Sequence, residues 1–250
     1  MSENLAIKDR WDFYPCRVDD APASIFLNMW FATHAPYGGA DTLYWVAITM
    51  RDPGDHGMGT AEEADQLFPV EDTIADRATA AGLTYVGRLR NRGTWQLTFY
   101  GRPEHEAPIV AIVSAVGLGG RAVEVDSIAN PDWDYYRTFL LPDRERHRWM
   151  VDRAVVDALA NAGDPLAASR RVDHWCYFAK AADRDAFVDE ANGERFELQG
   201  LSDDAMHGAQ IHRVDSVELE SIHETVMSLV ELAAKHHGEY DGWETSVESA

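Results

Sequence analysis

Four residues near the end of the chain bring acidic and aromatic chemistry together in one short stretch. The sequence GEYDGWET places Tyr240, Asp241, Trp243 and Glu244 directly after a helical pattern. In one interpretation Trp243 anchors a last strand against a sheet and Gly242 permits a tight turn. In the other, the two carboxylates flank the indole and form an acidic, aromatic binding patch. Both can hold together, because a binding patch on a chain end requires that end to be ordered.

A second candidate surface lies on the alternating stretch RRVDHWCYFA, which predicts a strand with Asp173, Trp175 and Tyr177 on one face. Aromatic rings on an open sheet face stack on bases in RNA-recognition domains, but those faces are surrounded by basic residues. The acidic neighbours here disfavour direct RNA binding. We assign Asp173 and Trp175, with the four terminal residues, to a predicted partner-binding set. The alternative is that these rings pack against the helix at 144–162 or against the other domain.

No pattern in the sequence indicates catalysis, a metal site or a cofactor. His236 and His237 are adjacent, so they point about 100° apart on a helix, and no histidine pair has the i, i+4 spacing of a zinc helix. His174 and Cys176 share a strand face but have no third group to orient them. The glycines of VGLGGR follow a helix, whereas a phosphate loop precedes one. We therefore expect a protein without enzymatic activity, metal or cofactor.

Charge narrows the class of partner. The chain has 22 basic and 43 acidic residues, for a net charge of −21 at pH 7. Residues 1–140 carry 11 basic and 20 acidic residues, and residues 141–250 carry 11 and 23, so both halves are acidic. Such a field repels nucleic acid and anionic lipid and attracts basic surfaces. We expect a basic protein partner, without direct contact to nucleic acid or membrane.

The cytoplasm is the expected compartment. The most apolar run, Ala107 to Leu118, is shorter than the ~18 residues that a membrane span requires. The first residues, MSENLAIKDRWDFY, are polar where a signal peptide has an apolar core. The two cysteines, Cys16 and Cys176, are predicted to be free thiols.

Residues 141–250 are predicted to form one domain. It starts near Pro142, with Asp143 as the N-cap of a helix over 144–162. The rest follows the order strand, helix, strand, strand, helix, strand, with strands at RRVDHWCYFA, RFELQG, GAQIHRVDS and WETSV and helices at AADRDAFVDEANG and 217–237. This order is typical of a ferredoxin-like βαββαβ domain, in which helices cover one face of an antiparallel sheet.

Residues 1–140 are predicted to repeat this architecture without repeating its sequence. The strands are DTLYWVAITM, LTYVGRLR, GTWQLTFYG and RAVEVDS, the helices lie around 62–81 and 104–116, and ASIFLNMWF is an added leading strand. The predicted fold class is thus α+β, with two ferredoxin-like domains in tandem at 1–140 and 141–250.

Several stretches of the second half carry a family resemblance. GDPLAASRRVDHWCYFAKAADRDAFVDEANGERFEL and the terminal AAKHHGEYDGWETSV resemble the regulator of ribonuclease E activity B family over residues ~143–248. The resemblance implies an acidic, ferredoxin-like domain that binds the endoribonuclease of the RNA degradosome and inhibits it without catalysis. The first half, with WDFYPCRVDDAPASIF, VEDTI and YVGRLRNRGTWQLTFYG, is similar to an uncharacterised bacterial domain family, which implies no activity.

Two function classes follow. The first is a non-catalytic, acidic, protein-binding regulator that inhibits a ribonuclease E-like enzyme. The alternative is a small-ligand-binding or enzymatic domain in residues 1–140, with residues 141–250 as its accessory.

Overall fold

The computed structural model describes residues 7–248, which divide into two compact units at Arg146 and His147. The sequence placed the boundary near 141, ahead of the helix that starts at Arg144. The division falls inside the first turn of this helix because its later residues, Val156 and Leu159, belong to the core of the second unit. Each unit is described separately below.

The first unit contains one six-stranded antiparallel sheet in the order β1-β2-β4-β5-β3-β6. Its elements are β1 (Trp11–Val18), β2 (Ala21–Asn28), β3 (Thr42–Thr49), α1 (Ala61–Ala80), β4 (Thr84–Asn91), β5 (Thr94–Gly101), α2 (Glu106–Ser114) and β6 (Val123–Ala129). Short 3₁₀ helices span Met29–Ala32 and Pro103–His105, and a π-helical turn spans Tyr135–Leu140. The ferredoxin-like βαββαβ core runs from β3 to β6, and the hairpin β1–β2 extends the sheet beside β4.

The sequence predicted only one leading strand, whereas the structure has a hairpin. Pro15 lies in the middle of β1, and a proline in a strand pattern argues against a central strand. It is accommodated because β1 is the edge of the sheet, where proline pairs opposite Ser24.

Both faces of this sheet are packed. The helices α1 and α2 cover the face that carries the buried side chains of Val46, Leu97 and Phe99. On the other face Tyr100 stacks on Trp133, with ring centroids 3.9 Å apart and planes 9° apart. The sheet is therefore the middle layer of the unit.

The second unit has a four-stranded antiparallel sheet in the order β10-β7-β9-β8. Its elements are α3 (Arg144–Asn161), β7 (Arg170–Phe178), α4 (Ala181–Gly193), β8 (Glu197–Asp203), β9 (His207–Asp215), α5 (Leu219–Lys235) and β10 (Gly238–Thr245). Asp143 accepts a hydrogen bond from the backbone N–H of Arg146 at 2.9 Å, as a helix N-cap does. The predicted fold class, two tandem ferredoxin-like α+β domains, is confirmed.

The core of the second unit lies on one face of its sheet. The strand β7 contributes Val172, Cys176 and Phe178, and all three helices pack against this face. The apolar stripe of α5 is buried as its helical spacing predicted, with Ile222 and Val226 fully inaccessible to solvent.

The last strand is fixed to this core by a buried carboxylate. Asp152 of α3 accepts a hydrogen bond from the indole N–H of Trp243 at 3.0 Å, and its other oxygen lies 2.8 Å from Nδ1 of His223. Burial raises the pKa of Asp152, and the hydrogen bonds from His223 and Trp243 oppose this rise. Trp243, which was predicted to anchor the last strand, therefore also has a polar partner, Asp152 on α3.

A second buried pair holds the residues that follow β10. Asp164 and Arg170 form a bidentate ion pair, which leaves the side chains of both almost inaccessible to solvent. The same arginine donates to the carbonyl of Ser246 at 3.2 Å, and the backbone N–H of Glu248 donates to Asp164 at 2.8 Å. The pKa of Asp164 is lowered by the hydrogen bonds from Arg170. The end of the described chain is thus held in place by the carboxylate and guanidinium that flank the start of β7.

The buried histidine of β7 is held neutral. Nδ1 of His174 lies 2.9 Å from the hydroxyl of Tyr240 in β10, and burial lowers the pKa of His174 to about 3. Burial also raises the pKa of the Cys176 thiol to about 12. Both groups are neutral near pH 7, which favours structural roles over a thiolate with a base.

Residues 141–250 expressed alone are predicted to fold. The second unit has its own sheet and core, so we expect a single cooperative unfolding transition in chemical denaturation. A fragment that unfolds without a cooperative transition would contradict this expectation.

Substitution of Trp243 is predicted to destabilise the second unit in two separable steps. Trp243→Phe retains a ring but removes the donor to Asp152, so we expect a loss of roughly 1–3 kcal/mol in the free energy of unfolding. Trp243→Ala also removes the buried indole, so we expect a loss of roughly 3–5 kcal/mol. Chemical denaturation of the full chain measures both, and unchanged unfolding of the alanine variant would rule out the anchoring role.

His174 is predicted to make the second unit less stable as the pH falls. Its pKa is about 3 in the fold and about 6.5 in the unfolded chain, so between these two pH values the unfolded chain binds a proton that the fold does not bind. Below about pH 6 we expect an extra loss of up to about 1.4 kcal/mol per pH unit relative to His174→Gln. Hydrogen exchange of amides in β7 and α5, corrected for intrinsic rates, measures this difference. Parallel stability curves for the two proteins would contradict it.

Candidate functional site

One extra residue in β10 decides which side chains of the terminal motif face the core. In a regular strand Tyr240 and Trp243, three residues apart, would point to opposite faces. The pairing with β7 contains a bulge between Tyr240 and Gly242, so both aromatic side chains are buried on the helix side. Asp241 is the extra residue, and it is exposed to solvent.

The bulge is supported by α3. Arg148 donates to the backbone carbonyls of Tyr240 and Asp241 at 3.2 and 3.1 Å, and its guanidinium carbon lies 5.1 Å from the centroid of the Tyr240 ring. Backbone groups that a bulge removes from the regular ladder need other partners. Arg148 supplies these partners for the two carbonyls, so the irregular backbone is part of the packed structure.

The opposite face of the sheet carries acidic and aromatic side chains. Residues paired across antiparallel strands share a face, and β10 pairs Glu239 with Tyr177, Gly242 with Trp175 and Glu244 with Asp173. We call the surface formed by these side chains of β7 and β10 the acidic sheet face: Asp173, Trp175, Tyr177, Glu239 and Glu244. None of the helices described between residues 147 and 248 lies on this face, because α3, α4 and α5 all pack in the core on the other side.

Gly242 leaves space beside the indole of Trp175. The sequence predicted that Gly242 permits a tight turn, but the structure places it inside β10, and that prediction is wrong. A Cβ added at Gly242 would meet no atom within 4 Å, so neither the backbone conformation nor local packing requires glycine there. Its effect is to leave the half-buried Trp175 without a side chain across the strand pair.

The acidic groups of this face differ in how far they are neutralised. Arg171 donates to both oxygens of Asp173, at 2.9 and 2.6 Å, and these hydrogen bonds are the main cause that lowers the pKa of Asp173. Glu239 and Glu244 are exposed and form no ion pair with any residue in 7–248. The face therefore carries uncompensated negative charge at its β10 side.

The structure divides the six residues of the predicted partner-binding set between two environments. Asp173, Trp175 and Glu244 share the acidic sheet face, and Asp241 is exposed at the bulge of the edge strand. Tyr240 and Trp243 lie in the core, 5% and 7% exposed, where they position β10. Glu239 was absent from the set because its place opposite Tyr177 depends on the register of the strand pair.

The other candidate sites considered in the sequence have structural explanations. Nε2 of His236 lies 2.9 Å from one carboxylate oxygen of Glu190, and the other oxygen accepts a hydrogen bond from Lys235. Gly119 and Gly120 have positive φ angles in the turn between α2 and β6. Over residues 7–248, no three His, Cys, Asp or Glu side chains are grouped so that they could hold a metal ion.

Two further observations concern the whole described chain. None of the helices in the described residues is both long and apolar enough to cross a membrane. Cys16 lies in the first unit and Cys176 in the second, and neither forms a disulfide.

Comparison with known proteins finds a family match in each unit. The model of a family described as "Regulator of ribonuclease activity B" matches residues 149–245, which include α3 from Trp149 onward and the acidic sheet face. The model of a family of unknown function, DUF695, matches residues 9–141. No curated protein matches the chain.

One solved structure, titled as a putative glycine cleavage system transcriptional repressor, is similar over 84% of this chain and 100% of its own. Its identity is 11% and its TM-score is 0.23, so it carries no argument about function. The match to residues 9–141 covers more than half of the 250 residues. The chain thus belongs to the DUF695 family, and its residues 149–245, which follow the DUF695 match, are similar to the regulator of ribonuclease activity B family.

Proposed function

We propose that the second unit binds a ribonuclease E-like endoribonuclease in the cytoplasm and inhibits it without catalysis of its own. The observation that carries this proposal is the match of residues 149–245 to a family of ribonuclease regulators. In this complex the acidic sheet face is the contact surface, and it binds a basic segment of the nuclease.

The charge of this face supports a basic partner. Glu239 and Glu244 are exposed without ion pairs among residues 7–248, and Asp241 is exposed beside them. Oppositely charged surfaces accelerate the encounter of two proteins and align them, with an effect that decreases as salt increases. The net charge of −21 extends this attraction beyond the face itself. The same field disfavours RNA as the ligand, so the regulator would act on the enzyme rather than on its substrate.

Trp175 supports a defined contact within this face. Its indole is half-buried and lies between Gln210 on β9 and Gly242 on β10, and the glycine contributes no side chain on its side. Tryptophans at the centre of an interface contribute a large share of the binding energy. Charged residues around them steer the partner and set its orientation. In this arrangement Trp175 fixes the partner, and the glutamates steer it.

The first test measures binding and nuclease activity with charge-neutral variants. A purified ribonuclease E-like endoribonuclease from the native cell is titrated with the full chain, and both association kinetics and RNA cleavage are recorded. Asp241→Asn with Glu244→Gln should weaken binding and inhibition mainly through a slower association rate, and the difference should shrink at raised salt. Trp175→Ala should mainly accelerate dissociation. The protein alone should not cleave RNA.

A matched control separates local from overall charge. Glu224→Gln with Glu231→Gln removes two exposed carboxylates of α5, on the helix side of the unit, and should leave association within twofold of the wild type. Equal losses in both double variants would assign the effect to net charge and remove the acidic sheet face from the proposal. A wild-type chain that neither binds nor inhibits the nuclease would refute the proposal, as would RNA cleavage that stays with the pure protein through several columns.

A further inference from the structure

The sheet of the first unit extends beyond the helices that cover it. The core strands β4, β5, β3 and β6 lie beneath α1 and α2, but the hairpin β1–β2 adds two strands beside β4. Two added strands widen a sheet by about 10 Å, which is the diameter of one further helix. No helix among residues 7–146 takes this place, and a groove of about 570 Å³ lies between the second half of α1 and the hairpin.

The sheet side of this groove is aromatic. Trp11 of β1 stacks on Phe26 of β2, with centroids 5.0 Å apart and planes 15° apart, and lies 5.2 Å from the ring of Tyr85 in β4. The indole N–H of Trp11 donates to Asp9 at 3.1 Å, which fixes the orientation of the ring. All three rings line the groove and are only partly buried. Aromatic rings of this kind attract cations electrostatically.

The helix side of the groove is acidic. Asp72 and Asp76 are one turn apart on α1, both line the groove, and both are exposed. Neither forms an ion pair with a residue in 7–248, and the lining includes no Lys, Arg or His. The C-terminal half of α1 also directs the negative end of the helix dipole towards this region. The wall is therefore complementary to a positive group.

Behind the Glu71 and Phe26 side chains that line the groove, the fold already binds a guanidinium by the same chemistry. Arg88 donates to both oxygens of Glu71, at 3.0 and 2.9 Å, and its guanidinium carbon lies 4.8 Å from the centroid of the Phe26 ring. Glu71 also accepts from Tyr85 and Trp95 at 2.7 Å each, so its hydrogen-bonding capacity is used within the fold. Asp72 and Asp76 are the carboxylates on this wall that are left for a ligand.

We propose that this groove binds an organic cation with a guanidinium or alkylammonium head. The head group would lie against Trp11 and Tyr85, and Asp72 and Asp76 would accept its hydrogen bonds. Such a group is present both in free amines and in the side chains of arginine and lysine, and the experiment distinguishes these sources. The proposal concerns residues 7–146 alone and does not depend on the nuclease partner.

Calorimetric titration of the full chain with agmatine and with doubly capped arginine tests the proposal. The titrations are made at 150 mM salt, where attraction between distant exposed charges is largely screened. We expect saturable one-to-one binding of at least one probe. Asp72→Asn with Asp76→Asn should weaken it at least tenfold, because each carboxylate accepts a charge-assisted hydrogen bond. Trp11→Leu should weaken it about three- to fivefold, with an unchanged midpoint of chemical unfolding as the check on the fold.

The control carries the same change in charge on the same helix. Glu62→Gln with Asp65→Asn removes two exposed carboxylates from the first turns of α1, outside the groove, and should leave the affinity within twofold of the wild type. Binding of agmatine alone identifies a free small amine as the ligand, and binding of capped arginine identifies a peptide side chain. Absence of saturable binding for both probes would overturn the proposal. Equal losses in the two double variants would also overturn it, because they would show non-specific attraction to an acidic protein.

Discussion

The placement of the last strand depends on the hydrogen bonds that Asp152 receives from Trp243 and His223. This carboxylate is buried on α3, and a buried charge is tolerated only where donors replace its water. The two donors come from β10 and α5, so Asp152 joins three elements that are far apart in sequence. Arg148, one turn earlier on the same helix, binds the carbonyls of the bulge in β10. The register of β10 on β7 is held by this helix, and the register places Glu239 beside Tyr177 and Glu244 beside Asp173.

Charged groups in the second unit fall into two classes that have different consequences. The pair of Asp164 and Arg170 and the carboxylate of Asp152 are buried and fully engaged, so they specify geometry and are inaccessible to a partner. Asp241, Glu239 and Glu244 are exposed, and exposed charges contribute little to stability. Selection on the exposed acidic residues can therefore act through binding with little effect on the fold. Because the charges that hold the fold are buried and those of Glu239 and Glu244 on the acidic sheet face are exposed, the face can be used for the proposed contact without loss of stability.

The first unit has the same ferredoxin-like arrangement as the second, but its sheet has two more strands. Its added hairpin gives the sheet more width than two helices cover, so its uncovered part forms a groove beside α1. An exposed apolar sheet surface promotes aggregation unless it is a binding site. The rings of Trp11, Phe26 and Tyr85 reduce this exposed area because they pack on one another. Its acidic wall gives the groove a preference for positively charged ligands. The two units thus share a topology and present their acidic surfaces on different structural features.

Local pattern was sufficient for much of the architecture. The apolar stripe of α5, the cap at Asp143 and the alternation along β7 identified the helices and strands, since each depends on neighbours within a few residues. The strand β1 was missed because Pro15 is disfavoured in a strand unless that strand is an edge, and the position of a strand in a sheet is not a local property.

The same distinction applies to the candidate site. The sequence was enough to show that acidic and aromatic residues occur together in the terminal motif and along β7, and that the chain carries a net charge of −21. Only the tertiary structure decided which of them face solvent. Strand alternation alone would have placed Tyr240 and Trp243 on opposite faces, and the bulge that brings both into the core is held by Arg148 and Asp152 from a helix some ninety residues away. Such contacts depend on packing between elements distant in sequence, so the periodicity of β10 does not encode them.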